Sequence, residues 1–340
     1  MRDYVRILKY YTQKGIIYGR VRISIDIGGT LIMKHTTGIH QNHLYSVYFA
    51  PRGARRIYGL GQEIAQRHLT PMDNLIGVIG DAGSGKSMLV KGMFPGLELT
   101  NDDQGVNVRP LPLMDLDEGG FFKPHTYHID IRFETGFYQL FELADAIMEA
   151  VDKGKRVIVE HFDLIYPLLG RNANLLIGVG GEIIVTRPTV FGPEPDDVAK
   201  SVFKSIGSRK MAHSAEDLVE FLLTEEQRNT CEHGDVRHGF TIAFPDKPDF
   251  EIADMEAKVN ELIAKDIPIK YYDEQHIRIG DVMHPCTGPR THVSSTGQIR
   301  GFKLLPEFFY DSRNKAYLLV GQIGEYSEGA NSPDLNKFIV

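Results

Sequence analysis

Eight consecutive residues carry the clearest chemistry in this 340-residue chain: Gly80, Asp81, Ala82, Gly83, Ser84, Gly85, Lys86 and Ser87. They satisfy G-x-x-x-x-G-K-[ST] in the context that pattern needs. The apolar run LIGVI (75–79) precedes them, and a helix-like SMLVKGMF follows and stops at Pro95. Glycines let successive backbone N–H groups curl around a polyphosphate at a helix N-terminus, whose partial positive charge favours an anion. In such a loop Lys86 reaches the β- and γ-phosphates of ATP, and the Ser87 hydroxyl ligates Mg²⁺. Carboxylates to complete the site come from two places. Asp102 and Asp103 follow the first helix, in LTNDDQG, and Glu160 ends the apolar run RVIVE (156–160). A carboxylate closing a buried strand is costly without a partner, so Glu160 is expected to hold Mg²⁺ through water or to orient a nucleophile. Asp102 and Asp103 also read as a solvated turn, and Asp115 and Asp117 (MDLDEGG) are alternative acidic groups.

The second chemistry-bearing stretch is IRIGDVMHPCTGPRTHVSSTGQIRGFKLL (277–305). Its Cys286 and His292 offer a thiolate and an imidazole, both good donors to Zn²⁺. Upstream, His213 and Asp217 (HSAED) have i,i+4 spacing, which puts two ligands on one face of a helix. Ser214-Ala-Glu-Asp217 reads equally as a capping box opening a helix, and that reading competes for Asp217. Cys231, His233, His238 and His284 are further donors nearby.

Residues 75–205 resemble the uridine kinase and phosphoribulokinase group of P-loop kinases, the phosphate loop being the specific part. That resemblance implies that Asp102 or Asp103 accepts the proton of an acceptor hydroxyl, and that Glu160 matches a Glu ending a strand before a short loop. Residues 208–305 resemble the second additional domain of alanyl- and threonyl-tRNA synthetases, also found in free-standing alanyl-tRNA editing proteins. Arg278, Gly280, Asp281, Cys286, Thr291, His292, Val293, Thr296, Gly297, Ile299, Phe302 and Lys303 carry it. That family holds Zn²⁺ with a His-x-x-x-His pair on a helix and a Cys-x-x-x-His pair. Here Asp217 replaces the second His, and five residues rather than three separate Cys286 from His292. The combination implies a kinase using ATP and Mg²⁺, with an appended domain recognising a nucleoside, an aminoacyl group or tRNA. Two alternatives stand beside it. One is a zinc-dependent aminoacyl-tRNA editing hydrolase with a regulatory ATPase domain; the other is a non-catalytic, ATP-responsive tRNA-binding protein.

The elements that must position these residues follow from periodicity and punctuation. Strand-like runs at 75–79, 127–133, 156–160, 175–179 and 182–186 alternate with helical stretches at 137–152 and 195–206. This predicts an α/β P-loop domain over 71–205 with a mostly parallel sheet. A basic, β-rich segment (1–70) precedes it, in which Asp26-Ile-Gly-Gly-Thr30 reads as a strand and hairpin turn. An α+β domain of the synthetase type (206–340) follows, with helices at 212–223 and 250–264. The first 70 residues hold eleven Lys/Arg against three Asp/Glu, while the whole chain has a net charge of −7. Such asymmetry marks either a nucleic-acid-facing end or a solvated basic face. With 42% hydrophobic and 24% charged residues the composition is that of a globular protein, and no run approaches the ~18 apolar residues of a membrane span. Two cysteines fit a reducing, cytoplasmic setting.

Overall fold

The computed structural model describes residues 4–12, 15–25, 31–35, 44–100, 111, 113, 125–324 and 335–336, the first three segments as backbone alone. The chain divides into two compact units, Met1–Leu44 and Tyr45–Val340. In the first, β1 (Tyr4–Thr12), β2 (Gly15–Ile25) and β3 (Leu31–His35) form an antiparallel sheet in that order. The β-rich expectation for 1–70 therefore describes only this part. The later residues of that range form β4 (Ser46–Phe49) and α1 (Ala54–His68), which belong to the second unit.

That unit continues through β5 (Leu75–Gly80), α2 (Lys86–Met93), β6 (Thr126–Asp130), α3 (Ile131–Glu134), α4 (Leu140–Asp152), β7 (Arg156–Glu160), α5 (Phe162–Leu169), β8 (Leu175–Val179) and β9 (Glu182–Thr186). Its six strands pair in the order β4-β9-β8-β5-β7-β6. The pairings of β5 with β7 and β8, and of β6 with β7, are parallel; β9 runs antiparallel to both β8 and β4. The sheet is thus mixed. The physical reason is short: two residues, Gly180 and Gly181, join β8 to β9, enough for a hairpin and far too few for a parallel crossover. Alternate residues of β5 serve opposite faces. Leu75 and Ile79 join the core beneath α4 and α5, whereas Ile76 and Val78 join the core beneath α1 and α2. A strand covered on both sides must be apolar throughout, as LIGVIG is.

The expected break near residue 206 does not occur. One helix, α6 (Pro195–Leu222), runs 28 residues through it. Val198, Ala199 and Val202 of its first half pack into the core of the six-stranded sheet, and Ala212, Ala215, Leu218 and Val219 of its second half pack into a separate C-terminal core. After α7 (Glu225–Thr230) come β10 (Glu232–Val236), β11 (Gly239–Phe244), α8 (Ile252–Ala264), β12 (Ile269–Asp273), β13 (His276–Ile279), β14 (Val282–Pro285), β15 (Lys303–Leu304), β16 (Phe309–Asp311) and β17 (Ala316–Gln322). Two antiparallel sheets result, β10-β11-β17-β15 with β16 on β17, and β12-β13-β14. The chain is α/β with mixed sheets. No described helix is long and apolar enough to cross a membrane.

Candidate nucleotide and metal sites

The loop 80–87 joins the carboxyl end of the central strand β5 to the first turn of α2. Gly83 (φ 74°) and Gly85 (φ 93°) take left-handed backbone conformations, which an L side chain resists. At Gly85 a Cβ would also lie 2.5 Å from Ile57 Cδ1, which would have to move aside. The loop carbonyls are engaged outward. Asp81 O accepts from Lys86 Nζ (2.9 Å) and from Ser84 N–H (3.2 Å). Ser84 O accepts from the buried Arg209 (2.7 Å), and Gly83 O accepts from Thr291 Oγ1 (3.2 Å). Asp81 Oδ1 accepts from Ala82 N–H (2.8 Å), and Lys210 (3.5 Å) and Arg132 (4.0 Å) stand opposite its carboxylate.

Lys86 is 5% exposed, with Nζ 4.0 Å from Glu160 Oε2. The parallel register of β5 and β7 brings Glu160 there, as the last residue of the strand beside the loop. Burial lowers the Lys86 pKa, opposed by the Glu160 charge. Burial alone would raise Glu160. Its hydrogen bond with His128 Nε2 (3.1 Å), the charge of Lys86 and a hydrogen bond with Ser87 bring it below the usual value. Lys86, Ser87 and Glu160 thus meet as the sequence implied. Asp102 and Asp103, with Asp115 and Asp117, lie outside the described residues. The chain before them is docked on β6: Thr100 N–H donates to His128 Nδ1 (3.2 Å), and Asp130 N–H donates to Thr100 Oγ1 (3.2 Å).

Two residues at this sheet end escaped the sequence reading. Asp130 ends β6 in register with Glu160 and caps α3 by accepting from Phe133 N–H (3.2 Å). The signal was a carboxylate in YHIDIRF, read as one strand when Asp130 in fact stops it. His161 follows Glu160 with a left-handed backbone (φ 57°) and is 3% exposed. Burial and the Lys86 charge push its pKa down to about 4, and its Nδ1 has no hydrogen-bond partner.

The second site lies where α6 meets the segment after β14. His213, Asp217, Cys286 and His292 each place a ligand atom within 4.8 Å of all the others. Cys286 Sγ is 3.6 Å from His213 Nε2 and 3.2 Å from His292 Nε2. Asp217 Oδ1 is 3.8 Å from His213 Nε2, and Oδ2 is 3.5 Å from His292 Nε2. The capping-box reading of Ser214–Asp217 is overturned, because these residues lie inside a continuous helix. Ser214 Oγ instead accepts from Val293 N–H (3.1 Å) and contacts His292 Nδ1 (3.2 Å). The residues between Cys286 and His292 form a turn. In it Gly288 N–H donates to Cys286 Sγ (3.3 Å) and Thr291 N–H donates to Gly288 O (3.0 Å). His213 Nδ1–H donates to Thr291 O (3.0 Å), which leaves Nε2 facing the cluster.

Burial drives all four donors toward their uncharged forms. It lowers His213, with His292 adding to the effect, and lowers His292 to about 3; it raises Asp217, helped by Glu216 and Glu220, and raises Cys286, helped by Asp217. Four such groups around one point can hold a cation that restores the charge of the thiolate and carboxylate. Of the other candidate donors, Cys231, His233 and His238 lie outside this set, and His284 stands beside it, within 4.8 Å of Asp217. Cys231 Sγ faces Arg228 O (3.6 Å), and His238 takes the positive φ of the β10–β11 turn. His233 bonds Glu216 (3.1 Å), and His284 packs edge-on against Phe221. Burial alone would lower His233, but hydrogen bonds to Cys231 and Glu216 push it up to about 11.

No family model and no curated protein matches the chain. Among solved structures, the crystal structure of Bacillus subtilus YdiB is similar to this chain at 19% identity and a TM-score of 0.26. The match covers 47% of this chain and 94% of that one. A likeness at that TM-score fixes no fold.

Proposed function

We propose that the chain binds ATP·Mg²⁺ at residues 80–87 and transfers its terminal phosphoryl group. One observation carries this: a buried lysine at the start of α2 is held between a loop carbonyl and the strand-end Glu160. Lys86 exchanges Asp81 O for β- and γ-phosphate oxygens, where its charge offsets the charge of the transferring group. Ser87, already hydrogen-bonded to Glu160, supplies a hydroxyl ligand to Mg²⁺, and Glu160 orders the water around that ion. Lys210 and Arg132, beside Asp81, add positive potential at the loop mouth. The resemblance to uridine-kinase-type enzymes supports a hydroxyl acceptor and assigns its base to Asp102 or Asp103.

The same reading gives the cluster at His213, Asp217, Cys286 and His292 a zinc ion. Zn–S of ~2.3 Å and Zn–N of ~2.0–2.1 Å set tetrahedral S···N edges of about 3.6 Å and N···O edges of about 3.4 Å. The cluster has S···N distances of 3.6 and 3.2 Å, and Asp217 brings Oδ1 to 3.8 Å from His213 Nε2 and Oδ2 to 3.5 Å from His292 Nε2. That fit favours a second reading, zinc-dependent editing of aminoacyl-tRNA by a domain that recognises a nucleoside, an aminoacyl group or a tRNA end. We rank it below the first because four protein donors close a tetrahedral site, and a catalytic zinc needs an open position.

The deciding experiment measures ATP consumption with Mg²⁺ against nucleosides, uncharged tRNA and mischarged tRNA, beside Lys86→Ala. Acceptor-dependent turnover that falls at least ~100-fold in Lys86→Ala is expected. Turnover equal in the two proteins sinks the phosphotransfer reading. Deacylation lost in Cys286→Ala, with no ATP turnover, would install the editing reading instead.

A further inference from the structure

We propose that Asp217, Glu220 and His284 hold a second divalent cation beside the first, with Asp217 as the carboxylate shared between the two. The inference rests on the metal reading above only through Asp217. On α6 the i,i+3 spacing of Asp217 and Glu220 sends both carboxylates to one side of the helix. His284, in β14, comes to the same place: its Nε2 is 3.9 Å from Glu220 Oε2, and ligand atoms of all three residues lie within 4.8 Å of one another.

Two buried atoms at this spot have nothing to bond. His284 is 2% exposed and Asp217 is 4% exposed, yet neither His284 Nε2 nor Asp217 Oδ2 has a hydrogen-bond partner. A buried polar atom without a hydrogen-bond partner is costly, and a cation held by both residues would satisfy both atoms. The neighbouring carboxylate, Glu216, is matched by Arg52 (2.7 Å) and His233 Nδ1 (3.1 Å), and Arg52 is shared again with Asp235 (3.1 Å), so Glu216 is engaged elsewhere and is not a further acidic ligand.

The donor set names the class of ion. Two carboxylate oxygens and one imidazole suit a borderline divalent metal such as Zn²⁺, Mn²⁺ or Fe²⁺ rather than a soft one. Three protein donors leave at least one position for water or a substrate oxygen, the arrangement of a catalytic rather than a closed site. Access exists on the side of Glu220 and His233, whose side chains are 16% and 33% exposed. His233 Nε2 stands 3.8 Å from Glu220 Oε2 while its Nδ1 is tied to Glu216, so His233 is a charged neighbour of the site and not one of its ligands.

The test is a Co²⁺ titration of the full chain after chelator treatment, read by stoichiometry and by the thiolate-to-cobalt absorption that only the Cys286 site can give. Two equivalents are expected in the wild-type protein. His284→Ala and Glu220→Gln should each bind one equivalent with the thiolate band intact, and Cys286→Ser one equivalent without it. A single equivalent with the thiolate band, unchanged by His284→Ala and Glu220→Gln, overturns the second site and keeps the first. A single equivalent with no thiolate band, lost in His284→Ala, keeps the second site and overturns the first. No uptake overturns both.

Discussion

His161 pairs an unfavourable backbone with a place beside Lys86 and Glu160. A non-glycine residue in the left-handed region costs on the order of 1 kcal/mol, and this one follows Glu160 and stands under the charge of Lys86. Strain of that kind persists where the surroundings over-determine it, as at a site that must hold a group still. Its titration has a definite sign. The folded pKa, about 4, lies below the ordinary 6.5, so between those values the unfolded chain binds the extra proton. Stability then falls as pH drops from 6.5 toward 4, by up to about 1.4 kcal/mol per pH unit from this residue. His161→Asn, which tolerates the same backbone, should show a shallower decline of urea midpoints over that window. It should also lower ATP turnover without changing nucleotide affinity. An unchanged pH slope would mean that the fold leaves the His161 pKa at its ordinary value. Around it, Lys86, Ser87 and Glu160 could be named from sequence because a phosphate loop is contiguous and a strand-end carboxylate is local. Asp217 could not be settled that way. Ser214–Asp217 carries the local signature of a helix start, and only its burial against Cys286 and His292, some 70 residues later, shows otherwise.

At the scale of elements, α6 shows why a periodic pattern misplaces a boundary. Its buried residues fall on one stripe at Val198, Ala199, Val202, Ile206 and Arg209, then on every residue from Ala212 to Val219. A helix that changes from half-buried to wholly buried has no single apolar face, so its sequence reads as two helices with Gly207-Ser208 between them. The hairpin of β8 and β9 was missed for a different reason. Two continuous apolar runs do not announce their direction, although the two-residue link did. Continuity of α6 makes a measurable claim about Gly207. A Cβ there would meet nothing within 4 Å, and the backbone is helical. Gly207→Ala should therefore raise stability by about 0.5–1 kcal/mol, seen as a higher urea midpoint. A lower midpoint would show that the helix bends there and needs the glycine.

Across the second unit, the loop 80–87 and the cluster of His213, Asp217, Cys286 and His292 are joined through a single residue, Thr291. Its Oγ1 donates to Gly83 O at the tip of the loop, and its carbonyl accepts from His213 Nδ1 (3.0 Å), which fixes the imidazole that faces the cluster. Arg209 reinforces the joint from α6 by donating to Ser84 O (2.7 Å) and Pro51 O (2.8 Å). No sequence pattern announced this, since the contact joins residues 208 positions apart and its acceptor is a backbone carbonyl. A loop that tightens on phosphates moves Gly83, so each ligand should feel the other by the same factor, on the order of 5–150-fold for ordinary couplings. Thr291→Val isolates the link because it keeps the shape and the carbonyl to His213 and deletes the donor to Gly83. Zn²⁺ affinity measured with and without ATP·Mg²⁺ should differ at least ~5-fold in the wild-type protein, and nucleotide affinity with and without Zn²⁺ by the same ratio. In Thr291→Val the ratio should collapse toward one while each affinity measured alone stays near its wild-type value. A ratio of one in the wild-type protein, or one that Thr291→Val leaves intact, would mean that the two sites share a helix but not a signal.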